Sequence, residues 1–174
     1  MDTLQTMMSR RSYCGTYTKD PVKREDLERI VRAGLAAPSG CNLQTTALVG
    51  VDDPALMAKL NALLNKSGER AAPAAVCVLA TPEICAAGVS FHVQDYSAAI
   101  QNVLLAAHAL GYASCWIEGD ARGSVGEDVL RALNLSGEFQ LAAILPLGVP
   151  ASEVKAPTFK PFEQRAWFNL DRHA

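Results

Sequence analysis

Apolar and polar positions along this chain change period several times, and each change predicts an element. The most apolar stretch runs from Asp95 to Leu110, without Gly or Pro and nearly without charge. In it Ala98, Ala99, Ile100, Val103, Leu104, Leu105, Ala106, Ala107, Ala109 and Leu110 cover more than one face of a helix. Such a helix belongs in the interior, and its polar exceptions, Gln101, Asn102 and His108, need buried partners or a partner subunit. Gly111 is placed to cap its C-terminus. Ala113 to Ile117 then reads as a short buried strand that stops at Glu118-Gly119-Asp120, the kind of strand end where ligands are commonly held.

Upstream, residues 2–9 read as a short amphipathic helix with Leu4, Met7 and Met8 on one side. Thr18 to Pro21 is a turn. Leu27, Ile30, Val31 and Leu35 recur at helical spacing beneath a charged outer face, and that helix stops at Pro38-Ser39-Gly40. Thr45 to Val51 predicts a strand. Asp53-Pro54 is a helix start, Asp capping and Pro at the first helical position, for a helix through Leu56, Leu60, Leu63 and Leu64 that breaks at residues 65–70. Ala74 to Ala80 is continuously apolar and predicts a strand buried on both faces, followed by a loop with a turn of helix over residues 81–90. Downstream, Ser124 with Glu127 three residues on suggests a capping box for a helix to Leu133, and Glu138 to Leu147 predicts another buried strand. Residues 151–174 lack helical period over most of their length yet carry Phe159, Phe162, Trp167 and Phe168. So much apolar surface needs cover, so this arm wraps its own domain or a second subunit.

Composition narrows the class. A chain of 174 residues with 49% hydrophobic residues is long enough for one domain with a real core. A net charge of -2 gives no basic excess for nucleic acid, and no run is apolar enough to span a membrane. The N-terminal sequence shows no signal-peptide pattern. The five cysteines, at 14, 41, 77, 85 and 115, are odd in number and lack paired metal spacing. Reduced thiols in a cytoplasmic protein are the simplest expectation, with Cys77 and Cys115 as small core residues.

Two segments offer chemistry. Arg10-Arg11-Ser12 puts two guanidiniums and a hydroxyl just past a helix, able to grip a phosphate; the alternative is a solvated basic helix end that suits the dipole. The segment from Pro38 to Thr46 is either an ordinary loop of turn formers or a set of Ser, Asn and Gln groups that reads the edges of a planar ligand. There is no G-x-G-x-x-G fingerprint, P-loop, H-E-x-x-H or G-x-S-x-G. Ser39 has no base placed beside it; His108 reads as a core or interface residue. The lack of acid–base machinery suggests that a bound cofactor supplies the reactive atoms.

Taken together, Arg10-Arg11-Ser12, the Pro38-Ser39-x-x-Asn42-x-Gln44 loop, Trp116-Ile117-Glu118-Gly119 and the Gly148-Val149-Pro150 ending resemble the FMN-dependent nitroreductase family, in order and over nearly the whole chain. The resemblance implies an α+β fold with a central, mostly antiparallel sheet flanked by helices. Residues 1–150 would form the FMN-binding domain and 151–174 an arm exchanged in a homodimer, with the apolar helix at the interface. It implies FMN as cofactor, NADH or NADPH as co-substrate, and a nitroaromatic, quinone or similar small molecule as acceptor. Hydride would pass through flavin N5 by a ping-pong route, with no catalytic side chain of its own. Arg10 and Ser12, with Arg11, would bind the phosphate. Ser39, Asn42 and Gln44, beside Pro38, would reach the flavin from the other subunit. Trp116, Ile117, Glu118 and Gly119 would line the ring, with a backbone N–H of Glu118 or Gly119 at N5. Asn65 or Lys66 would lie near the ribityl chain and pyrimidine edge. The family's cation two positions after the phosphate-binding Ser is replaced by Cys14, so Lys66 or Arg70 takes its place or the flavin is harder to reduce. Lys155 or Lys160 stands in for the family's late basic pair. The short chain leaves little to cover the site, which implies broad substrate range. Competing readings are a same-fold enzyme for enone reduction or dehalogenation, and a flavin-binding redox module, for which Cys14 beside two arginines would be the reactive group.

Overall fold

In the computed structural model of the chain, residues 2–64, 71–121, 123–135, 137 and 139–169 are described. They build an α+β fold: a four-stranded antiparallel sheet with five α-helices. The strands are β1 (Thr46–Val51), β2 (Ala74–Ala80), β3 (Ala113–Ser114) and β4 (Gln140–Gly148), in the order β1-β2-β4-β3. The helices are α1 (Thr3–Ser9), α2 (Arg24–Leu35), α3 (Pro54–Leu64), α4 (His92–Ala109) and α5 (Ser124–Ala132).

The continuous apolar run of β2 has a direct cause. Successive side chains in a strand point to opposite faces, and here both faces are covered. Ala74, Val76, Val78 and Ala80 pack with Leu145 and Leu147 of β4 against Leu27 and Ile30 of α2 and Ile100, Val103 and Leu104 of α4. Ala75 and Cys77 pack with Ile144 against Met57 and Leu60 of α3 and Val129 of α5. Every residue of β2 is buried.

Helix α4 is the interior helix its composition predicts. Gly34 lets it approach α2 closely, since a Cβ there would lie 2.6 Å from Val103 Cγ2 and 2.5 Å from Leu48 Cδ1. Two of its polar exceptions find partners within the chain: Asn102 Nδ2 donates to Ala33 O at 3.0 Å, and His108 Nε2 lies 2.8 Å from Ser9 Oγ. Gln101 faces solvent. Gly111, at φ +87°, donates to His108 O, and Tyr112 N–H donates to Ala107 O, closing the C-terminus as expected. Asp53 caps α3 through a 2.8 Å bond from Leu56 N–H.

Four local expectations are corrected. Regular pairing of β3 covers only Ala113–Ser114, although Ile117 still bridges Ile144 farther along. Ser124 is the first residue of α5 rather than its cap: the chain enters through Gly123 at φ +64°, and no side chain caps the helix. Residues 81–90 form no helix but a turn closed by Cys85 N–H donating to Val89 O. Leu4, Met7 and Met8 of α1 do not face the core; they are 71%, 50% and 75% exposed, and only Thr6 is buried.

After β4 the chain is tied to the N-terminal segment. Thr18 N–H donates to Val149 O, and Ala151 N–H donates to Thr16 O. From Ser152 onward nearly every described residue is exposed. Phe162 and Phe168 stand 6.2 Å apart, and the Arg11 guanidinium lies 5.6 Å from the centre of the Phe159 ring.

Candidate functional site

The segment Arg10–Gly15 leaves α1 and runs alongside the short strand β3. Ser12 bridges Ser114 in parallel, and Tyr13 N–H donates to Ser114 O at 3.0 Å. The buried Tyr13 ring, edge-on to Tyr17 at 5.3 Å, pins the segment down. Alternate side chains of such an extended stretch point to opposite sides, and a cleft opens on each flank.

The first cleft holds about 380 Å³ and is lined by Ser9, Arg10, Arg11, His108, Tyr112, Ser114 and Pro150, among others. Arg10 Nη1 and Ser114 Oγ are buried and have no hydrogen-bond partner among the described residues. A guanidinium nitrogen out of water and unpaired is costly, and a phosphate oxygen satisfies both groups together. His108 faces the same cleft. Burial first, then the Arg10 and Arg11 charges, hold its pKa below the ordinary histidine value of 6.5.

The second cleft, also about 380 Å³, is lined by Cys14, Gly15, Tyr17, Asn61, Leu64, Trp116, Ile117, Glu118 and Gly119 with Tyr13, Cys115 and Pro146. Its lining is more apolar than polar, with Trp116 partly exposed and no described atom within 4 Å of where a Gly119 Cβ would stand. A planar ring can therefore come close to that backbone. Glu118 accepts from Tyr96 OH at 3.4 Å. Burial, then the neighbouring Cys115 and Cys14 thiols, push the Tyr17 phenol pKa up.

The third predicted segment lies elsewhere in the chain. Pro38, Ser39 and Gln44 line a smaller cleft with Thr46, Asp95 and Ala99. Cys41, Asn42 and Gln44 take φ of +52°, +55° and +53°, and such left-handed residues cluster at functional sites because the fold must hold them there. The anchor is Asp95, a buried carboxylate of α4 that accepts from Gly40 N–H and from Thr45 Oγ1, each at 2.7 Å. Ser39 Oγ accepts from Gln44 N–H at 3.0 Å, and Thr46 Oγ1 is buried and unpartnered.

The structure thus brings Arg10 and Arg11 together in one cleft and Cys14 with Trp116–Gly119 in the next, while Ser12 is exposed on the segment between them. Pro38, Ser39, Asn42 and Gln44 are not joined to either within one chain. Lys160 is exposed and lines neither cleft. Asn65, Lys66 and Arg70 lie outside the described residues. Sequence reasoning missed Ser114, which looks like one more small residue in an apolar strand. It also missed Asp95; the available signal was a carboxylate in the first turn of an otherwise apolar helix.

Among the described residues no cluster of His, Cys, Asp or Glu could hold a metal, and no helix is long and apolar enough to cross a membrane. The model of the nitroreductase family matches residues 7–83 and 85–149. An Archaeoglobus fulgidus protein named "Putative NADH dehydrogenase/NAD(P)H nitroreductase" is 30% identical over 154 residues, covering 87% of each chain. An FMN-dependent nitroreductase of Clostridium difficile superposes with a TM-score of 0.78 at 27% identity, over 96% of this chain and 99% of that one. A Desulfovibrio desulfuricans structure described as a putative nitroreductase in complex with FMN gives 0.76 at 28% identity, over 94% and 95%.

Proposed function

From a chain that belongs to the nitroreductase family, we propose an FMN-dependent oxidoreductase that uses NADH or NADPH to reduce nitroaromatics, quinones or similar electron-poor acceptors. The observation that carries this reading is the pair of orphaned groups, Arg10 Nη1 and Ser114 Oγ, in one of two clefts flanking the segment 10–15, the other being lined by Trp116, Ile117, Glu118 and Gly119. A flavin mononucleotide needs that combination: an anion cradle beside a slot for a ring.

Arg10, with Ser114 and the nearby Arg11 and Ser12, holds the phosphate. Trp116 and the Ile117–Gly119 backbone bound the ring slot, and an N–H at Glu118 or Gly119 orients the ring edge. Bound there, FMN would supply two-electron hydride chemistry, and the slot lined by Trp116 and Ile117–Gly119 would admit the nicotinamide and the acceptor in turn. Preorganised donors aimed at developing charge are the protein's contribution. Cys14 stands in the ring slot where a cation would favour the reduced ring; Lys66 or Arg70, outside the described residues, would take over that charge, or the flavin is harder to reduce.

The enzyme works as a homodimer. The segment 38–44 is held by Asp95 but lines neither cleft of its own chain, and in this reading it serves the partner's ring slot. The exposed apolar side of α1 and the exposed aromatics of the arm supply the surface that a partner covers.

Purified protein loaded with FMN should be yellow, bleach with NADH or NADPH under nitrogen, and recover its colour on adding a nitroarene or quinone. A preparation that ignores added FMN overturns the reading. A yellow protein that no nicotinamide bleaches overturns its enzymatic part.

A further inference from the structure

One carboxylate closes both ends of the left-handed loop. Asp95, in the first turn of α4 and only 4% exposed, accepts from Gly40 N–H and from the Thr45 hydroxyl, each at 2.7 Å. Those two donors bracket Cys41, Asn42, Leu43 and Gln44. Thr45 is itself buried, and its carbonyl accepts from Thr81 N–H at 2.9 Å, which fastens the far end of the loop to the chain leaving β2. The near end is pressed onto the start of α4, where a Cβ on Gly40 would lie 2.5 Å from Phe91 Cβ.

The backbone between the two bonds is not relaxed. Cys41, Asn42 and Gln44 all lie in the left-handed region, which residues with a Cβ occupy only where their surroundings hold them there. Within the loop, Asn42 N–H donates to Ser39 O and Leu43 N–H to Gly40 O, each at 3.1 Å. Gln44 N–H donates to Ser39 Oγ at 3.0 Å. The loop is thus folded on itself, and the Asp95 carboxylate joins that folded unit to the interior helix. The Asn42 and Gln44 side chains stand exposed, with a 3.4 Å bond between them. Exposed amides on a backbone held in a costly conformation are suited to a ligand outside their own chain.

We propose that Asp95 is a positioning residue for the flavin bound by the partner subunit, acting through Gly40 and Thr45 on the Asn42 and Gln44 side chains. This rests on the proposed function, in which the loop serves the other protomer's ring slot. Asp95 touches no cofactor itself. Each of the two amides carries both donors and an acceptor, which matches the alternating donors and acceptors on the pyrimidine edge of a flavin. Without the carboxylate the loop is free to leave its left-handed states, and binding must select the competent one. If that state is then occupied in about one molecule in ten, apparent affinity falls about tenfold.

The test places two defects in one dimer. Asp95→Ala should weaken FMN roughly tenfold in fluorescence titration. Asp95→Asn should lie closer to the native chain, because its amide can accept from Gly40 N–H and donate to Thr45 Oγ1. Differently tagged Asp95→Ala and Arg10→Ala chains are then co-expressed and the mixed dimer isolated. One of its sites joins the Arg10→Ala cleft to the loop of the Asp95→Ala chain, and the other joins two native parts. Half of the sites should therefore bind FMN at native affinity, although neither parent dimer does. If Asp95 merely supported its own chain, each site of the mixed dimer would carry one defect and none would recover. That result overturns the proposal, as does native FMN affinity in the Asp95→Ala homodimer. Should Asp95→Ala fail to fold by circular dichroism, Thr45→Val, which removes one of the two bonds, takes its place in the same mixture. A native chain that binds no FMN sinks the functional reading. A native chain that binds FMN, with no recovery in the mixed dimer, sinks this inference alone.

Discussion

At the scale of single residues, the anion cleft gives the sharpest expectations. Arg10→Ala removes a charged donor that has no other partner, worth about 1.5–3 kcal/mol, so FMN should bind roughly 10- to 150-fold more weakly by fluorescence titration. Arg10→Lys should recover only part of this, because an ammonium lacks the planar fork. Ser114→Ala should weaken binding less, with unfolding stability intact, since its hydroxyl serves nothing within the chain. His108 sets a pH dependence. Its folded pKa lies below 6.5, so on acidification the unfolded chain takes up the proton first. Stability without ligand should therefore fall as pH drops through and below the ordinary histidine range. His108→Asn should flatten that slope in urea titrations, and saturating FMN, whose phosphate favours the protonated ring, should oppose it. The arginines were legible in the sequence because two guanidiniums and a hydroxyl in succession are uncommon chemistry. Ser114 and Asp95 were not, because what marks them is burial without a partner in one case and long-range bonding in the other.

At the scale of elements, the loop after α2 depends on α4. Asp95→Ala would leave Gly40 N–H and Thr45 Oγ1 without their acceptor, at about 1–3 kcal/mol for each unsatisfied group. A lower melting temperature is expected, with faster amide exchange at Gly40; Asp95→Asn, keeping one carbonyl, should lie between. Gly40→Ala tests the same contact sterically, because its Cβ would meet Phe91 Cβ at 2.5 Å; overpacking of this kind costs about 1–3 kcal/mol. Ile100→Ala, in the fully buried middle of α4, should cost about 2–5 kcal/mol, read as a lower urea midpoint with an unchanged slope. The periods of α2, α3, α4, β2 and β4 were legible because each element's packing face repeats along it. The ends were less so: a glycine at positive φ moved the cap of α5, a choice made by the incoming chain.

At the scale of the whole molecule, the proposed homodimer would cover the exposed apolar side chains of α1 and the arm. Deleting residues 151–174 should shift the protein from dimer toward monomer by light scattering and lower FMN retention together. Separate loss of either would break the proposed link between the arm and the site. Beyond the α+β architecture, which the family resemblance implied, sequence alone determined the buried strands and helix and singled out Arg10 and Arg11 as candidate phosphate binders. These follow from local periodicity and from side-chain chemistry, which the chain carries in linear order. Only tertiary structure decided that Ser114 shares a cleft with Arg10, that Asp95 holds the left-handed loop, and that this loop lines neither cleft. Those facts are distances between residues remote along the chain, fixed by how α4 and the sheet pack, and no local pattern encodes them.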